Sequence, residues 1–153
     1  MDVSKVLVDL AACLCQKAGG SLCFCGVLPG QTVVDMSGTE CDPAGQGWVR
    51  LINAYPSERV GVPSQTVNNL GLALGFGVEV GIMRHFPISS EPLTDEEILD
   101  ASLTQIGDME VIRSAILCCD SLNPKDFILN TYTPIGPAGG LVGGQWTISV
   151  SLL

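Results

Sequence analysis

Positive charge is scarce in this sequence. Seven Lys and Arg stand against sixteen Asp and Glu among 153 residues, giving a net charge of −9. The seven (Lys5, Lys17, Arg50, Arg59, Arg84, Arg113 and Lys125) are scattered along the chain. Gripping a nucleic acid backbone takes a basic stripe that displaces counterions from phosphates, so this balance argues against a DNA-binding role and for repulsion where DNA is near. Charge of either sign is low, at 15% of residues, and aromatics make up 5%. Histidine occurs once, as His85 after Arg84, and nothing in the sequence supports pairing it with a cysteine as the base of a nucleophile. No run reaches the roughly 18 uninterrupted apolar residues of a membrane-spanning helix. The opening stretch places Asp2 in its first turn, lacks a positive cluster and is interrupted by Asp9. It reads as an amphipathic helix rather than a secretory leader.

Apolar residues account for 46% of the chain, and the length suits one domain, 1–153, around one core. So apolar a surface suggests partial cover by neighbouring subunits. Val3, Val6, Leu7, Leu10, Ala11 and Leu14 recur at helical spacing, and Gly19 and Gly20 follow. The spacing predicts a helix over about 2–18. "SLCFCGVLPGQTVVDMS" reads as a strand and a Pro29-Gly30 turn, with room for a second short strand. In "AGQGWVRLINAYPS" Trp48, Arg50 and Ile52 alternate with Val49, Leu51 and Asn53, a strand that Pro56 is expected to end. The polar "ERVGVPSQTVNN" reads as a loop. "LGLALGFGVEVGIMRHF" alternates Phe76, Val78, Val80 and Ile82 with Gly77, Glu79, Gly81 and Met83. That pattern predicts a long central strand, with glycines where something packs closely on one face.

Thr94 and Glu97 form a capping box at the head of the clearest helix, beside the favourably placed acids Asp95 and Glu96. Leu99, Ser102, Leu103, Ile106, Met109, Ile112, Ala115, Ile116 and Cys119 are assigned to one face of it, with Ile106, Met109, Ile112 and Ile116 against the sheet. "NPKD" predicts a turn. The strands near Phe127–Thr133 and Gln145–Leu152 are expected to pair antiparallel, with Pro134–Gly144 as the connecting loop and Trp146, Ile148 and Val150 facing the helix. The fold class is therefore α+β: a mostly antiparallel sheet packed by an N-terminal helix and one long helix, in the order α-β-β-β-α-β-β.

The glycine-rich "PIGPAGGLVGGQ" could be a phosphate cradle, a flexible linker or a loop between strands. A phosphate loop feeds a helix and carries Lys, whereas this stretch feeds a strand and has none. No cofactor is expected. The seven cysteines (13, 15, 23, 25, 41, 118 and 119) are expected to be reduced and mostly buried. Cys13 and Cys15 point to different faces of a helix. Cys23 and Cys25 share a face of a strand, and with Cys118 and Cys119 a four-thiolate site can be drawn, but the usual C-x2-4-C zinc spacing is missing. No metal site and no catalytic residue are expected.

"GQGWVRLINAYPS", "LGFGVEVGIMR", "DMEVIRSAILCCD" and "TYTPIGPAGGLVGGQWTISV", in that order, resemble tail terminator (tail-completion) proteins of long-tailed bacteriophages of actinobacteria. The resemblance implies a homo-oligomeric ring, a hexamer, at the head–tail junction of the virion, assembled in the host cytoplasm. Such a ring caps the tail tube, ends its growth and joins it to the head. Its partners would be the tail tube protein and a connector or stopper protein, with DNA passing through the channel without specific binding and no membrane involved. On this reading the candidate interface residues are Trp48, Arg50, Arg84, Pro137, Gly139, Gly140, Gly143 and Gly144, and the last hairpin loop lies against a neighbouring chain. A disulfide formed after virions leave the cell is compatible with it. The alternatives are a head–tail stopper or other connector ring, and a thiol-dependent enzyme or metal-binding protein using the cysteines.

Overall fold

The computed structural model describes residues 2–30, 45–65, 72–86, 92–138 and 140–152. The chain runs through helix α1 (Val3–Ala18), strands β1 (Leu22–Val27), β2 (Gly45–Arg59), β3 (Val62–Pro63) and β4 (Ala73–His85), helix α2 (Asp95–Leu117), and strands β5 (Phe127–Ala138) and β6 (Leu141–Leu152). This is the expected α+β class. The sheet order is β1-β2-β4-β6-β5, with β3 joined to β2. All pairings are antiparallel except β1 with β2. The second short strand allowed for after Pro29-Gly30 falls on residues 31–44, outside the described ones.

Both helices start, and α1 stops, where their residues dictate. Asp2 caps α1 by accepting from the Lys5 backbone N–H at 2.7 Å. Gly19, at φ 65°, ends it in a conformation that costs glycine little. Thr94 caps α2 by accepting from the Glu97 N–H at 3.2 Å, so the N-cap half of the expected capping box forms. Asn123 closes the "NPKD" turn, its side chain accepting from the Lys125 N–H and its carbonyl from the Asp126 N–H.

The main core lies on one face of the sheet. Val6, Leu10 and Leu14 of α1 and Ile112, Ala115 and Ile116 of α2 pack on Val49 of β2, Phe76, Val78, Val80 and Ile82 of β4, and Ile148 and Val150 of β6. Trp146 joins this face and donates from Nε1 to the Met109 carbonyl of α2 at 3.0 Å, as the terminal-strand periodicity predicts. A smaller cluster of Leu28, Trp48 and Met83, with Phe24, Ile135 and Leu141 beside it, sits on the other face.

β4 is the central strand, and its glycines are explained by what lies over them. A Cβ at Gly81 would run into the Trp48 indole, one at Gly75 into Tyr55, and one at Gly77 into Asn53. Each large residue belongs to β2, so the two strands approach with side chains folded across bare backbone.

Several expectations are corrected. β2 does not end at Pro56 but continues to Arg59. Pro56 still pairs with Leu74 of β4, and its carbonyl accepts from the Ser64 N–H, so the N–H it lacks breaks no further pairing. The turn-rich "ERVG" stretch is correspondingly a tight β2–β3 connection with Gly61 at φ 80°. Pro134–Gly144 is not a loop. Thr133 pairs with Gln145, Pro134 with Gly144, Ile135 with Gly143 and Ala138 with Leu141, so two long strands meet at a short turn that includes Gly140. Gly143 and Gly144 are strand residues: a Cβ at Gly144 would strike the Tyr132 ring, and one at Gly143 the Ile82–Met83 backbone.

Two assignments on β1 and α2 also change. The register shift between Leu22 and Phe24 interrupts the alternation on which a shared face for Cys23 and Cys25 rested; Leu22 and Cys25 both pack on the main core, and Cys23 is exposed. On α2, Ile112 and Ile116 do face the sheet, but Ile106 is 53% exposed.

The cysteines are the largest correction. Cys13 is bonded to Cys119 and Cys15 to Cys25, and Cys23 is disulfide-bonded as well. Two residues apart on α1, Cys13 and Cys15 do point to different faces. One meets Cys119, the second residue past α2, and the other meets β1, each with Cα atoms 5.8 Å from its partner, within bridging range.

Candidate functional site

The candidate interface residues do not form one surface. Trp48 is fully buried within the chain, and its indole N–H donates to Glu79 Oε2 at 2.9 Å. Arg50 is 8% exposed and Glu79 2%. Arg50 Nη2 donates to Glu79 Oε1 at 2.8 Å, and Nε pairs with Oε2. Neither Trp48 nor Arg50 is available to a neighbour, because β2 turns both side chains onto the β4 glycine and glutamate opposite them. Arg84 is occupied too. Its Nε and Nη2 hold the Asp108 carboxylate of α2 at 2.6 and 2.9 Å, and its Nη1 donates to the Ser21 carbonyl at 3.2 Å. A two-pronged ion pair of this kind locks α2 to the end of β4.

At the tip of the last hairpin, Pro137 is exposed and Gly140, at φ 76°, makes the turn. The Gly140 carbonyl accepts from the Phe86 N–H at 2.7 Å, tying the tip to the end of β4. Gly139 lies outside the described residues. Gly143 and Gly144 are buried in β6, and the Gly143 carbonyl is held by the Gln105 side chain from α2.

Between α2 and the ends of β4 and β6 lies a cavity of about 280 Å³, bordered by Arg84, His85, Glu97, Asp100, Gln105 and Asp108. Its one strong charge pair, Arg84–Asp108, is internally satisfied. Burial, with coulombic repulsion from Asp108 added to it, pushes the nearby Tyr132 hydroxyl up to about 12, so that phenol stays protonated across the physiological range. Among the described residues no His, Cys, Asp and Glu side chains converge as a metal cluster. The four-thiolate site drawn from Cys23, Cys25, Cys118 and Cys119 does not form: three of those sulfurs are in disulfides, and Cys118, exposed, is the free thiol among the described residues.

The most distinctive surface is one that periodicity assigned to the interior. α2 is apolar on two opposite sides. Asp108, Ile112, Ala115 and Ile116 are its buried line. Leu99, Leu103 and Ile106 are 55, 57 and 53% exposed, and Leu117, three turns further on, is also exposed. At 100° per residue these four fall within about 60° of one another and opposite the buried line. The signal was in the sequence: Leu99–Leu103–Ile106 and Ile112–Ala115–Ile116 are out of phase and cannot share a face of one straight helix.

A second anchor holds α1 to the end of α2. Asp9 accepts from Lys5 Nζ at 2.6 Å and from the Ser121 hydroxyl at 2.6 Å. Both bonds, Lys5 first, hold its carboxyl below the ordinary 3.8. Beside it, Cys13–Cys119 makes the same junction covalent.

No described helix is long and apolar enough to cross a membrane. No protein-family model matches the chain. No curated protein matches it either.

Proposed function

We propose that this chain is a structural assembly protein of a bacteriophage neck: a tail terminator whose copies form a ring that caps the tail tube, ends its growth and offers a surface to the head. The observation that carries the reading is the run of four sequence blocks, in order along the chain, that resemble tail terminators. The outer side of α2, where Leu99, Leu103, Ile106 and Leu117 are exposed with Glu110 among them, adds that the chain is built to meet other protein.

The charge distribution fits a DNA conduit. Arg50 and Arg84 are consumed by Glu79 and Asp108, which leaves Lys5, Lys17, Arg59, Arg113 and Lys125 as the basic residues of the surface. A strongly acidic wall lets DNA slide without adhering. The disulfides suit a particle that spends part of its life outside a reducing cytoplasm. They also remove most of the thiols that a thiol-dependent enzyme or a zinc site would use. A head–tail stopper in the same neck shares all of these features and is the second reading.

The test is microscopy of virions labelled with an antibody to this protein, together with incubation of the purified protein with tail tubes. Label at the head–tail joint and binding to one tube end are expected. Label elsewhere, or none, with no affinity for tube ends, overturns the neck assignment. Neck label with binding to the head connector but not to tubes selects the stopper.

A further inference from the structure

The exposed stripe of α2 has polarity along its length as well as apolar character across it. Asp95 stands at its first residue and Arg113 near its last turn. They are five helical turns apart, about 27 Å at 1.5 Å per residue, and therefore lie on the same flank of the stripe. Midway between them sit Leu103 and Ile106, both more than half exposed. Neither Asp95 nor Arg113 has an ion-pair partner among the described residues.

We infer that this face is a self-complementary surface on which α2 of a second copy packs antiparallel, about a two-fold axis passing near residue 104. A two-fold axis perpendicular to both helices keeps each residue on its own flank while reversing direction. Leu103 and Ile106 then interdigitate with Ile106 and Leu103 of the second copy. At each end Arg113 comes opposite Asp95 of the second copy, giving two equivalent ion pairs at the rim.

Charge selects this arrangement over its rival. A parallel two-fold pairing keeps every residue level with its own copy, so it gathers Asp95 and Glu96 of both chains at one end and both Arg113 at the other. The antiparallel pairing instead brings Asp95 of one chain opposite Arg113 of the other at each end. Glu110 lies within the stripe, between the directions of Leu99 and Leu103, and the antiparallel pairing sets it opposite the region of Leu99 rather than level with Glu110 of the second copy. The contact is isologous and so differs from the head-to-tail contacts that close a ring. It does not depend on the neck assignment.

Sedimentation of the purified, disulfide-intact protein across a concentration series tests the inference. The wild type is expected to form a dimer. Ile106→Glu should weaken it by roughly a hundredfold, because each dimer buries two such residues at its centre. Asp95→Arg and Arg113→Asp should each weaken it by roughly tenfold. The decisive sample is an equimolar mixture of those two charge variants. In a mixed pair the two substituted positions meet at one end with their signs exchanged, base now facing acid. The other end joins the unaltered Asp95 of one chain to the unaltered Arg113 of the other. Both ends attract, so the mixture should regain the affinity that each variant alone has lost. All the altered positions are exposed, and circular dichroism melting of each variant verifies its fold.

A wild type that stays monomeric at the highest concentration overturns the inference, as does an oligomer indifferent to Ile106→Glu. Association lost with Ile106→Glu but not recovered in the mixture shows that the stripe meets a different surface, and equally refutes the two-fold pairing.

Discussion

Removing the Glu79 carboxylate is expected to be among the most destabilising single changes in this protein. Glu79 stands on the central strand at 2% exposure and is held by two donors, the Trp48 indole N–H and the Arg50 guanidinium. Glu79→Ala strands a guanidinium that is itself 8% exposed. Breaking a buried pair from one side costs about 3–5 kcal/mol, far more than the intact pair contributes over an apolar replacement. The orphaned indole donor works in the same direction, by about 1–3 kcal/mol taken alone, though the two losses share one site and do not add. Domains of this kind have a total stability of about 5–15 kcal/mol. The melting temperature should therefore fall by about 6–20 °C, at about 2–4 °C per kcal/mol.

Two companion variants sharpen the test. Glu79→Gln keeps an acceptor for Trp48 and removes only the charge, so it should fall between the wild type and Glu79→Ala. Arg50→Met combined with Glu79→Leu removes both charges, and should be far less harmful than either single change predicts. Urea denaturation followed by circular dichroism, with disulfides intact, of the wild type, Arg50→Met, Glu79→Leu and the double variant gives the four corners of the Arg50–Glu79 cycle. A coupling energy below about 1 kcal/mol, the value of an exposed pair, would refute the reasoning by showing that water reaches the site.

The helix faces and the disulfides give two further expected outcomes. Ile112→Ala should cost about 2–5 kcal/mol because Ile112 is fully buried, while Ile106→Ala should change monomer stability by no more than about 0.5 kcal/mol; equal effects in urea melts would mean that α2 is rotated from the described orientation. Replacing Cys13 and Cys119 together by Ser opens a loop spanning 106 residues of sequence separation, worth about 4.7 kcal/mol on chain entropy, against about 3 kcal/mol for the separation of 10 between Cys15 and Cys25. The reverse order of melting temperatures would contradict the entropic account.

Much of the fold was legible because its signals are local. The alternation in Phe76–Met83, the Thr94 cap, the Gly19 stop and the Asn123 turn each act within a few residues, and each appears in place. Most of the failures share a cause, which is that the deciding partner lies on another element of the fold. Gly143 and Gly144 look like loop residues until Tyr132 and the β4 backbone are seen to occupy their side-chain space. Trp48 and Arg50 look like surface anchors until β4 places Gly81 and Glu79 opposite them. Cys13 gives no sign of a partner 106 positions away. The outer face of α2 is a different kind of miss: the phase of its leucines is readable, but a helix apolar on two sides is easily merged into one apolar on a single side.

The place of β6 has a consequence for how the chain reaches this structure. It is the last of the described strands to leave the ribosome, yet it lies between β4 and β5 in the sheet. Until it emerges, β4 has a neighbour on one side only, and its row of Phe76, Val78, Val80 and Ile82 lacks the strand that continues the sheet beneath α2. The β5–β6 hairpin can zip quickly because its partners are close in sequence, but the β4–β6 seam joins residues such as Leu74 and Leu152, about half the chain apart. Such non-local closure is slow. The newly made chain thus passes through an interval with an open sheet edge and an uncovered apolar surface, which is when encounters with other nascent copies carry the greatest risk of mispairing.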